Sequence, residues 1–179
     1  MADINVSTIS LRPSEPSTER QAGGPAYDLI ELLFFAYRDF IGDADERLAG
    51  LGFGRAHHRV LHFVNRHPGM RVADLLDILK ITKQSLGRVL RDLIEQGYVV
   101  QKAGQADRRQ RLLYLTAKGE TLARDLALLQ TRRIARALHE YGPGGRDAAR
   151  KFLAAMIDPA ARDEVEALIA RADRKSAER

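Results

Sequence analysis

The sequence predicts a mainly α-helical fold carrying one small β-hairpin, and three observations predict it. Apolar residues recur at helical spacing through most of the chain from residue 27 to residue 172. One pair of short runs departs from that pattern. YVVQKA and RLLYLT are rich in aliphatic, β-branched and aromatic residues and flank the polar stretch GQADRRQ. Helix start and stop signals fall at the edges of the periodic stretches: Thr82, Thr116 and Asp158 as N-caps, Gly97 and the PGG at 143–145 as terminators.

The elements follow in order. Residues 1–25 are rich in Ser, Pro, Thr and Gly, have no period and read as a flexible tail. A first helix over 26–50 places Ile30, Leu33, Phe34, Tyr37 and Ile41 on one stripe, which Leu29, Leu32 and Phe35 widen almost all the way round. So apolar a helix must be covered on more than one side, by its own domain or by a second subunit. Gly52 and Gly54 break the chain. GRAHHRVLHFVNRHPG is a second helix with Val60, Leu61 and Val64 inward and Pro68-Gly69 as its stop. RVADLLDILK is a short helix with Val72, Leu75, Leu76 and Leu79 at i, i+3, i+4 and i+7.

After a brief turn, TKQSLGRVLRDLIEQG buries Leu86, Val89, Leu90, Leu93 and Ile94 and shows Lys83, Gln84, Gly87, Arg88 and Arg91 on its other face. The hairpin comes next. Thr116 then opens a helix of about 25 residues, longer than the common globular length and suited to packing on a partner. A helix in RDAARKFLAAMI follows. Behind Asp158-Pro159 a last one carries Val165, Leu168 and Ile169. Residues 174–179 are charged and expected to fray.

Composition narrows the function classes. Hydrophobic content is 45%, which fits a globular chain, and the net charge is +5 with a pI near 9.7. An anionic partner suits that balance without being demanded by it. Cysteine is absent, so disulfides, thiolate metal sites and cysteine nucleophiles are excluded. No apolar run approaches the roughly 20 residues that span a bilayer, and the N-terminus is polar, so a cytoplasmic address without membrane contact is expected. No catalytic motif, embedded carboxylate pair or cofactor fingerprint is present, so neither enzyme activity nor a cofactor is expected.

Helix, short helix, tight turn, capped polar-faced helix, then a hairpin with three arginines in five residues (DRRQR, 107–111) is the order of a winged helix-turn-helix. A helix fits the major groove of double-stranded DNA. From this one, Lys83, Gln84, Ser85 and Arg88 can reach base edges or phosphates, Gly87 allows close backbone approach, and the N–H groups behind Thr82 favour a phosphate. Arg108, Arg109 and Arg111 at the hairpin tip suit an adjacent minor groove or the sugar-phosphate edge. The bland alternatives are solubilising charge at the tip, and pairing of Arg88 and Arg91 with Asp92 or Glu95 on their own helix.

At these residues the chain resembles the MarR family of bacterial transcription regulators. KQSLGRVLRDLIEQGYV followed by DRRQRLLYLTAKG carries the resemblance. Asp107 and Arg109 match the family's D-x-R wing signature, and Leu115-Thr116 with Gly119 matches the L-T-x-x-G behind it. RVLHFVNRHPG and ILKITKQSLGRVL are most similar to the PetP-like branch. The resemblance implies a homodimer on a pseudo-palindromic operator, with an N-terminal dimerisation helix (26–50), a DNA-binding lobe (51–116) and C-terminal dimerisation helices (117–173). It implies that Arg109 enters the minor groove and that Asp107 orients the wing through ionic contacts. It also implies a small, often aromatic effector near the junction of lobe and dimer interface, for which Phe34, Tyr37, His57 and His58 are candidates. Gly87 departs from the Ser or Thr common at its position, and the absence of cysteine removes the peroxide-sensing switch of some members.

Other readings attach to the same residues. His58 and His62 are i and i+4, a zinc-compatible spacing, and further ligands would have to come from Glu31, Asp39, Glu46 or a partner's counterpart of His139. No motif joins them, and exposed helix histidines are the simpler account. Phe34, Phe35, Tyr37 and Phe40 suit a dimer core as well as an effector pocket. The alternative function is an adaptor that docks proteins through its winged helix. Such a surface needs an exposed apolar hot spot, and here that face is Lys, Gln, Ser and Arg.

Overall fold

The computed structural model describes residues 24–105 and 107–177. Most of the segment expected to be a flexible tail, residues 1–23, lies outside these, as do residues 178–179 of the expected C-terminal fray. The chain runs α1 (Tyr27–Ala49), α2 (Arg55–Arg66), β1 (Met70–Arg71), α3 (Val72–Leu79), α4 (Lys83–Glu95), β2 (Val99–Ala103), β3 (Arg111–Leu115), α5 (Ala117–Tyr141), α6 (Gly145–Ala155) and α7 (Pro159–Ala177). This is the mainly α winged helix-turn-helix that the sequence predicts. α7 continues to Ala177, beyond the boundary at 173.

The three strands form one antiparallel sheet in the order β1-β3-β2. β2 and β3 are the hairpin, with Val99 opposite Leu115 and Ala103 opposite Arg111. β1 was not anticipated. Its two residues pair Met70 with Leu113 and Arg71 with Leu112, and they stitch the start of α3 to the wing. Two residues are too short to carry a period of two, so the sequence assigns Arg71 to the helix that follows and leaves Met70 in the break before it.

One core holds the lobe together. Val60, Leu61 and Val64 of α2 meet Leu75 and Leu79 of α3, Leu86, Leu90 and Leu93 of α4, and Val99 and Leu113 of the sheet. Leu122 and Leu126 of α5 and Ala44 and Leu48 of α1 close the same cluster. Phe53 sits in the glycine break between α1 and α2 yet is only 5% exposed, packed edge-on to Tyr98. The second half of α1 is thus buried at Ile41, Ala44 and Leu48. The first half is not. Tyr27, Leu29, Ile30, Leu32, Leu33, Phe34, Phe35 and Tyr37 are 42% to 68% exposed in the single chain. Of the two covers that the sequence allows for this helix, the described residues of its own domain leave that half exposed.

Helix ends explain how the wing is set. Thr82 caps α4 by accepting from the Ser85 N–H. At the other end Gly97, at φ +74°, closes a Schellman turn in which its N–H donates to the Ile94 carbonyl and that of Tyr98 to Leu93. Thr116 caps α5 by accepting from the Gly119 N–H, while its own hydroxyl donates to the Gly97 carbonyl. The first turn of α5 therefore lies against the base of the wing. A Cβ built on Gly119 would fall 2.1 Å from the Tyr98 carbonyl oxygen. Only glycine fits there, which gives the last residue of L-T-x-x-G a steric reason. Gly119→Ala is expected to destabilise the fold by about 1–3 kcal/mol through overpacking, seen as a lower urea midpoint. An alanine variant as stable as the parent would contradict this contact.

α2 also carries a polar side chain into the interior. His58 is 8% exposed, and its burial lowers the imidazole pKa, with Asp45 opposing the shift. His67, just past α2, is lowered by burial and then by the positive charges of Arg66, Lys175 and Arg171. Both rings take up a proton less readily in the folded chain than in the unfolded one. Their contribution to stability is whole above the unfolded value of about 6.5 and is lost as the pH falls below it. Tm is therefore expected to drop as the pH falls below about 6.5. His58→Leu should narrow that drop, and an unchanged drop would remove His58 as a cause.

Candidate nucleic-acid interface

The turn between α3 and α4 sets the direction of the polar helix. Lys80 sits there at φ +50°, the one non-glycine residue at positive φ among those described. Arg59, one turn into α2, donates from its guanidinium to the Leu79 carbonyl at 2.9 Å and satisfies an end of α3 that would otherwise lack a partner. Thr82 then begins α4. Its hydroxyl oxygen accepts from the Ser85 N–H at 3.1 Å and its O–H donates to Ser85 Oγ at 2.9 Å. The Ser85 hydroxyl proton remains available to a ligand.

The outer face of α4 carries Lys83, Gln84, Ser85, Gly87, Arg88 and Arg91, all exposed. A Cβ on Gly87 would meet nothing within 4 Å, so the protein itself does not require glycine there. The pairing considered for Arg88 and Arg91 is not formed. Neither makes an ion pair among the described residues, and Asp92 is engaged by His57 instead. Both guanidiniums stay open to solvent.

The wing tip is a short, tightly turned loop. Gly104 donates to the Gln110 carbonyl, and a Cβ on it would fall 2.8 Å from the Asp107 carbonyl oxygen. The Asp107 carboxylate accepts from the Arg109 backbone N–H at 2.9 Å, and the Gln110 N–H donates to the Asp107 carbonyl. The ionic contacts expected of Asp107 are not formed among the described residues. Among the described residues it holds the turn through main-chain hydrogen bonds, because the next two peptides fold back within reach of its short side chain. Arg108, Arg109 and Arg111 are exposed, and their guanidiniums have no partner among the described residues.

The effector candidates are not brought together. His57 is nearly covered. Its ring stacks on Phe53 at 4.7 Å, Nδ1 accepts from the Gly54 N–H at 3.1 Å, and Nε2 lies 3.2 Å from Asp92 Oδ2. His58 is buried, whereas Phe34 and Tyr37 are exposed on the open half of α1. Open cavities of about 260 Å³ lie at two places among the described residues. Asp43, Leu129 and three arginines line one; Arg47, Leu51, Tyr98, Lys118, Thr121, Leu122 and Asp125 line the other. None of the four candidates lines either. For metal, no group of three or more His, Asp or Glu side chains among the described residues could hold an ion, and Asp39 pairs with Arg38.

The structure thus carries the six α4 residues and the wing residues Asp107, Arg108, Arg109 and Arg111 on one lobe, while the four effector candidates divide among separate environments. The sequence reading missed Arg59 and the His57–Asp92 bond. Both act across elements, over 20 and 35 positions of chain, which no local spacing reveals.

Comparison with known proteins agrees with this geometry. The sequence profile of the MarR family matches residues 51–110, from the start of the lobe to the wing tip. The HTH-type transcriptional regulator PetP of Rhodobacter capsulatus is 48% identical over 133 residues, which is 74% of this chain and 80% of that protein. Among solved structures, FabT of Streptococcus pneumoniae in complex with DNA superposes with a TM-score of 0.64 at 17% identity, covering 72% of this chain and 92% of that one. A crystal structure of MarR gives 0.61 at 23% identity, over 84% and 99%. These two share the fold. With a relative of nearly half identity spanning most of both chains, and the family profile lying on the lobe itself, the protein belongs to the MarR family.

Proposed function

We propose that this protein is a homodimeric, sequence-specific DNA-binding transcription regulator acting on a pseudo-palindromic operator. The observation that carries the reading is the set of unpaired cations on one lobe. Lys83, Arg88 and Arg91 on α4 and Arg108, Arg109 and Arg111 on the wing make no ion pair among the described residues. Cations left unpaired on a helix that fits the major groove, and on the loop beside it, suit phosphates and base edges. In this reading Lys83, Gln84, Ser85 and Arg88 address the major groove. Arg109 takes the minor groove, on a loop that Asp107 pre-shapes, and Arg91, Arg108 and Arg111 neutralise phosphates.

The second subunit follows from the uncovered apolar surface. Besides the first half of α1, Leu128, Ile134 and Tyr141 of α5, Phe152 and Leu153 of α6 and Met156 at its end are each at least 47% exposed. Large apolar side chains left exposed in this number on the helices outside the lobe suit an interface. We assign Phe34 and Tyr37 to it rather than to an effector pocket, since both are exposed on the open half of α1 and neither lines the two cavities described above. Two lobes held by such an interface would present their α4 helices to successive major grooves, about 34–36 Å apart.

Selection from random duplex DNA at two salt concentrations tests the proposal. An enriched inverted repeat with half-sites about one turn apart is expected, with affinity falling steeply as salt rises. Weak binding, equally salt-sensitive for every sequence, would sink it. On the recovered duplex, Arg109→Ala should cost about 1–3 kcal/mol of binding while the dimer stays folded. Equal binding at equal salt would remove Arg109 from the interface. Gly87→Ala separates stability from recognition. Helix propensity should raise stability by up to about 1 kcal/mol, while the added methyl lifts the helix off the DNA and weakens binding. A variant that gains stability and keeps full affinity would show that the backbone at Gly87 does not approach DNA closely.

A further inference from the structure

His57 lies in the first turn of α2, yet its ring joins three parts of the lobe. It stacks on Phe53 with ring centroids 4.7 Å apart and planes 17° from parallel. Phe53 in turn packs edge-on against Tyr98, the residue that leads into the wing. Nδ1 accepts the Gly54 N–H at 3.1 Å, a bond that closes the N-terminus of α2. An Nδ1 that accepts leaves the ring proton on Nε2. Nε2–H therefore donates to Asp92 Oδ2, 3.2 Å away on α4. The His57 side chain is 13% exposed and the Asp92 side chain 40%. The donor is held by packing and the acceptor is the freer partner.

Asp92 stands one helical turn beyond Arg88. An Arg and an Asp at i and i+4 on an exposed helix face are neighbours that attract each other. In this structure they do not pair, because the carboxylate is bonded to His57. Without the imidazole, Arg88, one turn back on the same helix, is a cation placed to receive that carboxylate. Pairing with Asp92 would neutralise Arg88 and turn its guanidinium toward the C-terminal end of the helix, away from the residues behind Thr82.

We propose that His57 is a positioning residue for DNA recognition: it holds the Asp92 carboxylate against α2 and so keeps Arg88 free for the major groove. The inference rests on the DNA-binding function proposed above. It gives His57 a different task from an effector ligand. The ring works by occupying an acid on the recognition helix, through a hydrogen bond that crosses from α2 to α4.

The probe is the duplex recovered from the random pool by the wild-type dimer. If the parent protein recovers none, the function has failed and not this inference. With a duplex in hand, His57→Phe keeps the ring volume and the stacking on Phe53 but removes both hydrogen bonds. It is expected to bind about 5- to 20-fold more weakly at constant salt. Asp92→Asn keeps an acceptor oxygen for Nε2–H and removes the charge, and it should bind at least as tightly as the parent. The combination His57→Phe with Asp92→Asn should return to within about two-fold of Asp92→Asn alone, since a neutral amide has no charge with which to hold Arg88. In an Arg88→Ala background, His57→Phe should have no further effect. Parent-like binding by His57→Phe overturns the proposal. So does a double variant as weak as His57→Phe alone, which is what a purely structural role predicts. Circular dichroism melts accompany each variant. Should His57→Phe not fold, His57→Leu carries the same comparisons with the same outcomes.

Discussion

The first turn of α5 rests directly on the peptide that joins α4 to the wing, and the approach leaves no room for a side chain at Gly119. Several bonds converge on that contact. The Thr116 N–H donates to the Tyr98 carbonyl and its hydroxyl to that of Gly97, while Lys118 donates to Gln96 and stacks its ammonium over the Tyr98 ring at 4.1 Å. The end of α4, the root of the hairpin and the start of the long helix are therefore one joint. Tyr98 also carries Phe53 on its other side, and Phe53 carries His57. The orientation of the basic surface relative to the long helix descends from this joint. A displacement at residue 119 would reach both α4 and the wing.

Much of this was legible in the sequence because it is written locally. α4 announces itself by Thr82 in front and Gly97 behind, and both act as their residue types suggest. The hairpin shows in two β-rich runs around a polar loop. What escaped was non-local or too short. β1 has two residues, and its existence depends on β3 lying forty positions later. Phe53 is hidden between glycines that signal only a break. Lys80 adopts a left-handed conformation that its residue type does not advertise. The α1 stripe told that a cover was needed, and only the structure divides it into a half that the chain buries and a half that it leaves open.

The cationic members of the candidate site were legible by the same local logic, as charges on the back of an amphipathic helix and at a loop tip. Their roles were less so. Asp107 is expected as an ionic partner, and among the described residues its carboxylate accepts a main-chain N–H, because hydrogen-bond reach depends on how the loop folds and not on sign of charge. Lack of a partner does not by itself mark an interface. Arg136 on α5 is also unpaired among the described residues, whereas Arg55, Arg71 and Arg133 each face a carboxylate. What distinguishes the basic residues of α4 and the wing is that they share a lobe whose shape suits a duplex.

The short pairing of β1 with β3 carries one more meaning. It fastens the wing to the segment entering α3, while the Schellman turn after α4 fastens the same wing to the recognition helix. The lobe is thereby gripped at both ends of its helix-turn-helix. Such an object works as a die of fixed gauge: the offset between the outer face of α4 and the tip of the wing is cast into the lobe. In the proposed homodimer, tolerance for half-sites slightly closer or farther apart would then come from the shafts that carry the two dies, the long helices beyond Gly119.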